Sequence, residues 1–206
     1  MLKIYGFNSQ NNKKVVYLAK ELGLDFEFVK VDLMKRENRS PEFLKMNPVG
    51  KVPVLEHDGK YLFESGAICR YIATLVDTPL APKEKFEYAQ VDQWMEFFTN
   101  HLGRWLNTLF FEKILRPFLG IGSPVKETCE EAEKFISQQM KVLEGELSKR
   151  EFIASNELSI ADIYAYAYIE QTIALEMDLS EFPNTLKWRD MISKRESIVE
   201  CQKYFN

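Results

Sequence analysis

One short stretch, Lys51-Val52-Pro53-Val54-Leu55, limits what this chain can fold into more than any other. Val52 to Leu55 is apolar, with β-branched residues on both sides of a proline, and reads as a strand. Proline donates nothing to a ladder, so Pro53 belongs where a strand begins or bends, and Val-Pro is a bond that adopts cis at low cost. His57-Asp58-Gly59-Lys60 reads as a hairpin turn and Tyr61-Leu62-Phe63 as the returning strand. Glu64-Ser65 then opens a helical run in which Ala67, Ile68, Tyr71, Ile72 and Leu75 recur at helical spacing. Ser65 is therefore a helix-start residue. Its hydroxyl and the free N–H groups at the positive end of the helix dipole suit a carboxylate or a phosphate.

The residues before this stretch supply the rest of a small sheet. Leu2-Lys3-Ile4-Tyr5 alternates as a first strand, and Gly6 to Asn12 is a polar loop. Val15, Val16, Leu18, Ala19 and Leu22 make a helical face that stops at Gly23. Phe26 to Val31 alternates as a second strand, so strand, helix and strand within about thirty residues predict a parallel βαβ unit. Ser40-Pro41 starts a short helix with serine at the cap and proline at the first position. The resulting order, βαβαββα with a proline opening the third strand, is the thioredoxin-like plan.

Asp77-Thr78-Pro79-Leu80-Ala81-Pro82 breaks the pattern, and everything afterwards carries helical periodicity. Apolar positions mark a helix from Phe86 to Leu109, a second through Ala132, Ile136, Met140 and Leu147, a third after Ser159, and a last one around Leu186, Trp188 and Ile192. In Leu158-Ser159-Ile160-Ala161-Asp162-Ile163 the serine and the aspartate three later form a capping box, a folding signal rather than chemistry. The expected fold class is α/β + all-α: a thioredoxin-like domain over 1–76, a linker over 77–84 and an all-helical bundle over 85–206.

Charge narrows the function classes. The net charge is −4, but residues 1–76 carry 12 Lys+Arg against 9 Asp+Glu, whereas residues 77–206 carry 15 against 22. A positive front half favours a small anionic ligand and lacks the dense basic stripe of a nucleic-acid binder. The three cysteines are odd in number and form no CxxC, and the two histidines lie far apart, so neither a disulfide framework nor a metal site is expected. No apolar run approaches a membrane span, and the N-terminus leads straight into a strand, so a cytoplasmic protein that does not engage membrane is expected.

Val52-Pro53, the Glu64-Ser65 helix start and the Ser159-Ile160-Ala161-Asp162 box, at these separations, resemble the cytosolic glutathione transferase family over nearly the whole chain. The opening loop is most similar to the serine-type, theta- and phi-like classes and their bacterial relatives, which place a basic residue four after the serine and an apolar one six after it. Ser9, Lys13 and Val15 stand at that spacing. The resemblance implies a homodimer that activates glutathione as co-substrate, without a metal, and adds it to a hydrophobic electrophile. It implies that Glu64 meets the ligand's ammonium, Ser65 holds the γ-glutamyl carboxylate, and Val52 beside a cis Pro53 pairs with the cysteinyl backbone. Lys51, where the family often has glutamine, and Asn38 or Arg39, where phi-like members usually have His-Lys, are implied at the glycyl carboxylate.

Ser9 is implied as donor to the sulfur, with Asn11 as its rival, because disulfide-reducing members use an asparagine two residues beyond a threonine. Phe7, Phe98, His101 and Trp105 are implied as electrophile-pocket residues, although aromatics on that helix are more often core; Arg104 is a further polar candidate. Gly66 stands where the family often has an arginine after Glu-Ser, and no cysteine occupies the opening loop, unlike the omega and beta classes. Two alternatives stay open on the residues alone: a glutathione-dependent disulfide reductase, and a non-catalytic partner-binding member.

Overall fold

The computed structural model describes residues 1–205. They fall into two compact units, Met1–Ala81 together with the segment from Lys194 on, and Pro82–Ser193. The residues after Ser193, expected within the all-helical domain, thus belong to the first unit.

The first unit holds a four-stranded sheet in the order β2-β1-β3-β4, formed by β1 (Leu2–Gly6), β2 (Phe26–Lys30), β3 (Val54–His57) and β4 (Lys60–Phe63). β1 and β2 run parallel, joined by α1 (Gln10–Glu21), as a βαβ connection requires. β3 lies antiparallel to both β1 and β4. α2 (Pro41–Met46) has Ser40 as cap, whose hydroxyl accepts from the Phe43 N–H, with proline at the first turn. α3 (Ser65–Ala73) follows β4 directly. Ile4, Val15, Val16, Leu18, Leu55, Ile68 and Ile72 are each almost fully buried and form the core between sheet and helices.

The end of the chain covers α1 and β2. α11 (Glu196–Cys201) packs along α1, and Tyr204 and Phe205 lay their rings on Phe26, Phe28 and Tyr17. Arg195 donates two hydrogen bonds to the Glu21 carboxylate, and the Ser197 hydroxyl donates a third. Asn8 Nδ2 reaches the Phe205 carbonyl at 2.8 Å, so the tail also ties down the loop after β1.

In the second unit one long helical path runs from Lys85 to Phe118. It comprises α4 (Lys85–Phe97), a π-helical turn over Phe98–Leu102, α5 (Gly103–Phe110), a second π-helical turn over Phe111–Leu115 and α6 (Arg116–Phe118). Gly103 lies where this path meets α8 (Ile160–Ile169): a Cβ there would stand 2.4 Å from the Tyr168 ring and 2.2 Å from the Phe98 carbonyl, so only glycine permits the approach. α7 (Lys126–Leu147), α9 (Gln171–Ala174) and α10 (Pro183–Ser193) complete the unit. All ten residues of α8 are buried, which makes it the central helix. Its start is anchored by Asp162, whose carboxylate accepts from the Ser159 N–H (3.0 Å), the Ser159 hydroxyl (2.8 Å), the Ile153 N–H (2.8 Å) and Trp188 Nε1 (3.0 Å). Among the described residues no helix is long and apolar enough to cross a membrane.

Candidate functional site

Strand register gathers the implicated residues of the first unit at one edge. Val54 opposes Tyr5 on one side and Phe63 on the other, and Gly6 pairs in parallel with Lys30. The loop after β1 that leads to Ser9, the segment after β2 that leads to Asn38, the Val52-Pro53 pair before β3 and the Glu64-Ser65 pair after β4 therefore share one end of the sheet. The Val52–Pro53 bond is cis, and the ladder begins only at Val54, so Val52 takes no part in it.

The loop after β1 is shorter than its composition suggests. The sequence predicts a loop as far as Asn12, but α1 already starts at Gln10 with Ser9 as its N-cap. Ser9 Oγ lies 3.5 Å from the Asn12 N–H and donates to Asn12 Oδ1 at 3.0 Å, while Asn12 Nδ2 donates to the Tyr5 carbonyl at 3.3 Å. Asn12 is completely buried, and a Cβ on Gly6 would fall 2.1 Å from its Nδ2. Gly6 and Asn12 thus set where Ser9 sits.

Asn11, the second residue of α1, faces α3. Its Oδ1 accepts from Lys14 Nζ at 2.8 Å and from the Ser65 hydroxyl at 3.4 Å, and Lys14 Nζ is itself 3.5 Å from Ser65 Oγ. Lys14 has no exposed surface. Burial pushes its pKa well below the ordinary lysine value, against the opposing pull of Cys69 and Glu64. The Cys69 thiol is itself pushed up to about 12 by burial and stays neutral, leaving Glu64 as the nearby anion. The basic residue four after Ser9 is Lys13, but its Nζ lies 5.7 Å from the centre of the Phe205 ring, whereas Lys14 is the lysine at the head of α3. Neither Lys14 nor Asn12 was singled out by sequence. The available signal was a lysine four before Leu18, hence on the buried stripe of an amphipathic helix.

Glu64 is the N-cap of α3, with φ +70° and ψ 112°, a conformation sparsely allowed outside glycine, and Ser65 is the first helical residue. The Glu64 side chain does not cap the helix and is exposed, while Ser65 is 8% exposed. An exposed carboxylate beside a helix N-terminus and a buried lysine presents a negative and a positive element side by side. Such a pair suits a zwitterionic α-amino acid group.

The remaining candidates of this unit form a tied pair of loops. Asn38 Nδ2 donates to the Gly50 carbonyl at 2.7 Å, Arg39 Nη1 to the Val49 carbonyl at 3.1 Å, and Asn47 Nδ2 to the Lys51 carbonyl at 2.7 Å. Lys51 and Arg39 remain exposed and Phe7 is half-buried.

In the helical unit the aromatic candidates divide. Phe98 is completely buried, stacked on Tyr168 with ring centres 6.0 Å apart, so it packs as a core residue. Trp105 is half-buried and stacked on Phe135 at 4.6 Å, and the Arg104 guanidinium carbon lies 5.1 Å from the Trp105 ring centre. His101 is exposed, 5.8 Å from the Phe97 ring centre. Among the described residues no group of three His, Cys, Asp or Glu is placed to hold a metal ion.

Comparison with known proteins accounts for this arrangement. Residues 1–74 match the N-terminal domain of glutathione S-transferases and residues 98–196 the C-terminal domain. The chain is 34% identical to glutathione S-transferase F10 of Arabidopsis thaliana over 100% of its own length and 98% of that protein's. It is also 32% identical to elongation factor 1-gamma 3 of Oryza sativa subsp. japonica, over 89% of this chain and 44% of that protein. Among solved structures, glutathione S-transferase-I bound with lactoylglutathione superposes with a TM-score of 0.91 at 30% identity, covering 99% of both chains. This chain belongs to the glutathione S-transferase family of enzymes.

Proposed function

We propose that the protein binds glutathione at the sheet end where Ser9, Val52 and Ser65 converge, activates its thiol and transfers it to a hydrophobic electrophile. The observation that carries this is the register: Val54 sits between Tyr5 and Phe63, which brings two helix N-termini and an unpaired strand backbone to one edge. Ser65 and the N-terminus of α3 receive the γ-glutamyl carboxylate and Glu64 the ammonium. The Val52 backbone pairs with the cysteinyl unit as an added strand. Lys51 and Arg39, exposed on loops pinned by Asn38 and Asn47, meet the glycyl carboxylate. His101 and Trp105 contribute to the electrophile's surroundings, and the protein acts in the cytoplasm as a homodimer.

Ser9 is the sulfur's partner. The N-cap oxygen keeps accepting from the Asn12 N–H while its proton turns from Asn12 Oδ1 to the sulfur. Losing that neutral bond costs about 1 kcal/mol, and a bond to an anion returns about 1.5–3 kcal/mol. The difference, with the dipole of α1, is worth about one pKa unit or somewhat more, since each unit is about 1.4 kcal/mol. From a free thiol near about 8.5, that makes the thiolate a major species at neutral pH. Asn11 is the weaker candidate because its oxygen is taken by Lys14 and Ser65, which supports conjugation over asparagine-based disulfide reduction.

Conjugation of glutathione to a chloronitrobenzene tests the assignment. Ser9→Ala is expected to lower kcat by about ten- to a hundredfold, about 1.4–2.7 kcal/mol of anion stabilisation, with little change in glutathione KM. Equal rates in Ser9→Ala and wild type reject Ser9, and an Asn11→Ala variant with the larger loss replaces it. No turnover by wild type, with a partner protein retained on the folded chain, favours the non-catalytic alternative.

A further inference from the structure

Lys14 is a fully buried cationic residue type at this end of the sheet to which the glutathione assignment gives no task. A fully buried lysine is expensive in a core, because transferring an ammonium out of water is unfavourable unless something opposes the loss. Here Nζ lies under the head of α3, 2.8 Å from Asn11 Oδ1 and 3.5 Å from Ser65 Oγ. Asn11 Oδ1 in turn accepts from the same Ser65 hydroxyl. The residue thus stands one side chain away from the hydroxyl at which a carboxylate is expected to dock.

We propose that Lys14 is a positioning residue that supplies the counter-charge beneath the γ-glutamyl carboxylate and takes up a proton when that carboxylate docks on Ser65. This rests on glutathione being the ligand. In the free protein, burial favours the neutral amine; Cys69, which acts on it, is a neutral thiol, and Glu64 is a carboxylate. An arriving carboxylate adds a second negative charge at the head of α3 and favours the ammonium. The proton comes from solvent, and no bond is made or broken apart from the new N–H. Linkage then fixes the direction: where binding takes up a proton, affinity falls as pH rises between the free-state and bound-state pKa of the group. Lys14 acts through Ser65 and Asn11, orienting the hydroxyl and selecting an anionic group, and touches neither the sulfur nor the electrophile.

Titration calorimetry with S-methylglutathione tests this without interference from the thiol proton. It is run on wild type in buffers of different ionisation enthalpy from about pH 6 to about pH 9, within the range where buried lysines titrate. The comparison ligand is the S-methyl tripeptide with 4-aminobutyrate in place of the γ-glutamyl unit, which keeps the ammonium and lacks the carboxylate. Wild type is expected to take up a substantial fraction of a proton with S-methylglutathione and none with the decarboxylated ligand. Lys14→Met should abolish the uptake and lose about tenfold of the preference for the carboxylate-bearing ligand, about 1.4 kcal/mol. Lys14→Arg should keep the preference while losing the uptake, because guanidinium stays protonated. Binding by wild type without buffer-dependent uptake overturns the proposal and leaves the glutathione assignment standing. No binding of S-methylglutathione at all overturns both, and the wild-type arm needs no variant to fold.

Discussion

Among the described residues, one lysine and one aspartate have no exposed surface, one in each unit, and the chain handles them in different ways: Lys14 in the α/β unit and Asp162 in the helical unit. Asp162 is surrounded by donors. Two backbone N–H groups, one hydroxyl and one indole N–H converge on its two oxygens, and each belongs to α8, to the segment before it or to α10. Burial pushes its pKa up, and those four hydrogen bonds pull the other way. Lys14 instead is bonded to Asn11 and lies beside Ser65, two residues at the functional end of the sheet. A buried charge whose partners hold an element's start serves the fold, while one whose partners face a ligand position serves binding.

The contrast is open to mutation, and the largest effect is expected at Asp162. Asp162→Ala leaves four donors without an acceptor and should cost at least about 3 kcal/mol of the helical unit's stability, read by urea unfolding. A loss below about 1 kcal/mol would mean that water replaces the carboxylate and that the contrast is not real.

Lys14→Met should go the other way. Replacing a buried lysine by an apolar side chain of similar length is expected to leave stability unchanged or raise it by up to about 3 kcal/mol. Because the folded-state pKa lies below the unfolded one, wild-type stability falls as pH drops from the ordinary lysine value toward the folded value, so the variant's advantage should widen over that window. A destabilised Lys14→Met protein would place Lys14 with Asp162 as a structural residue.

How much of this was legible follows from how far apart the interacting residues lie in the chain. Val52-Pro53 and Glu64-Ser65 carry their meaning locally, in a proline that cannot join a ladder and a serine before an apolar helical run, and both elements form, although β3 starts at Val54 rather than Val52 and takes in His57, while Lys60 opens β4. The capping box of Ser159 and Asp162 is equally local. Lys14 and Asn12 were not legible, because their burial depends on α3 and β1 arriving from elsewhere, and a lysine in a helix reads by default as solvated. Phe98 was ambiguous for the same reason, since period 3.6 assigns a face but not what covers it. The tail shows the limit most clearly. α11, Tyr204 and Phe205 pack on residues more than 170 positions away, and nothing in their own pattern points to α1 and β2.

A smaller effect separates fold from function within one residue. Glu64 holds a φ of +70° that costs a non-glycine residue about 1–3 kcal/mol. Glu64→Gly should therefore raise the melting temperature by an amount equivalent to about 1 kcal/mol while glutathione affinity falls, a stability gain bought with function. Unchanged affinity would remove Glu64 from the binding site.

The smallest expected effect concerns the tail. Burial raises the Glu21 pKa, but hydrogen bonds from Arg195 and Ser197 outweigh it and the net shift is downward. The clamp thus contributes stability above the unfolded carboxylate value and loses it as pH falls through the lower folded value. Partial exposure of Arg195 keeps the contribution to about 1 kcal/mol or less. Arg195→Ala should flatten this acid limb of the stability curve, and an unaltered limb would show the clamp to be neutral.

The most direct test of glutathione activation at Ser9 is the ultraviolet absorbance of the thiolate, followed against pH with glutathione bound to wild type and to Ser9→Ala. The account predicts a bound thiol pKa about one unit or more below that of free glutathione in wild type, returning toward the free value in Ser9→Ala. Glutathione that binds wild type with an unshifted thiol pKa would contradict it.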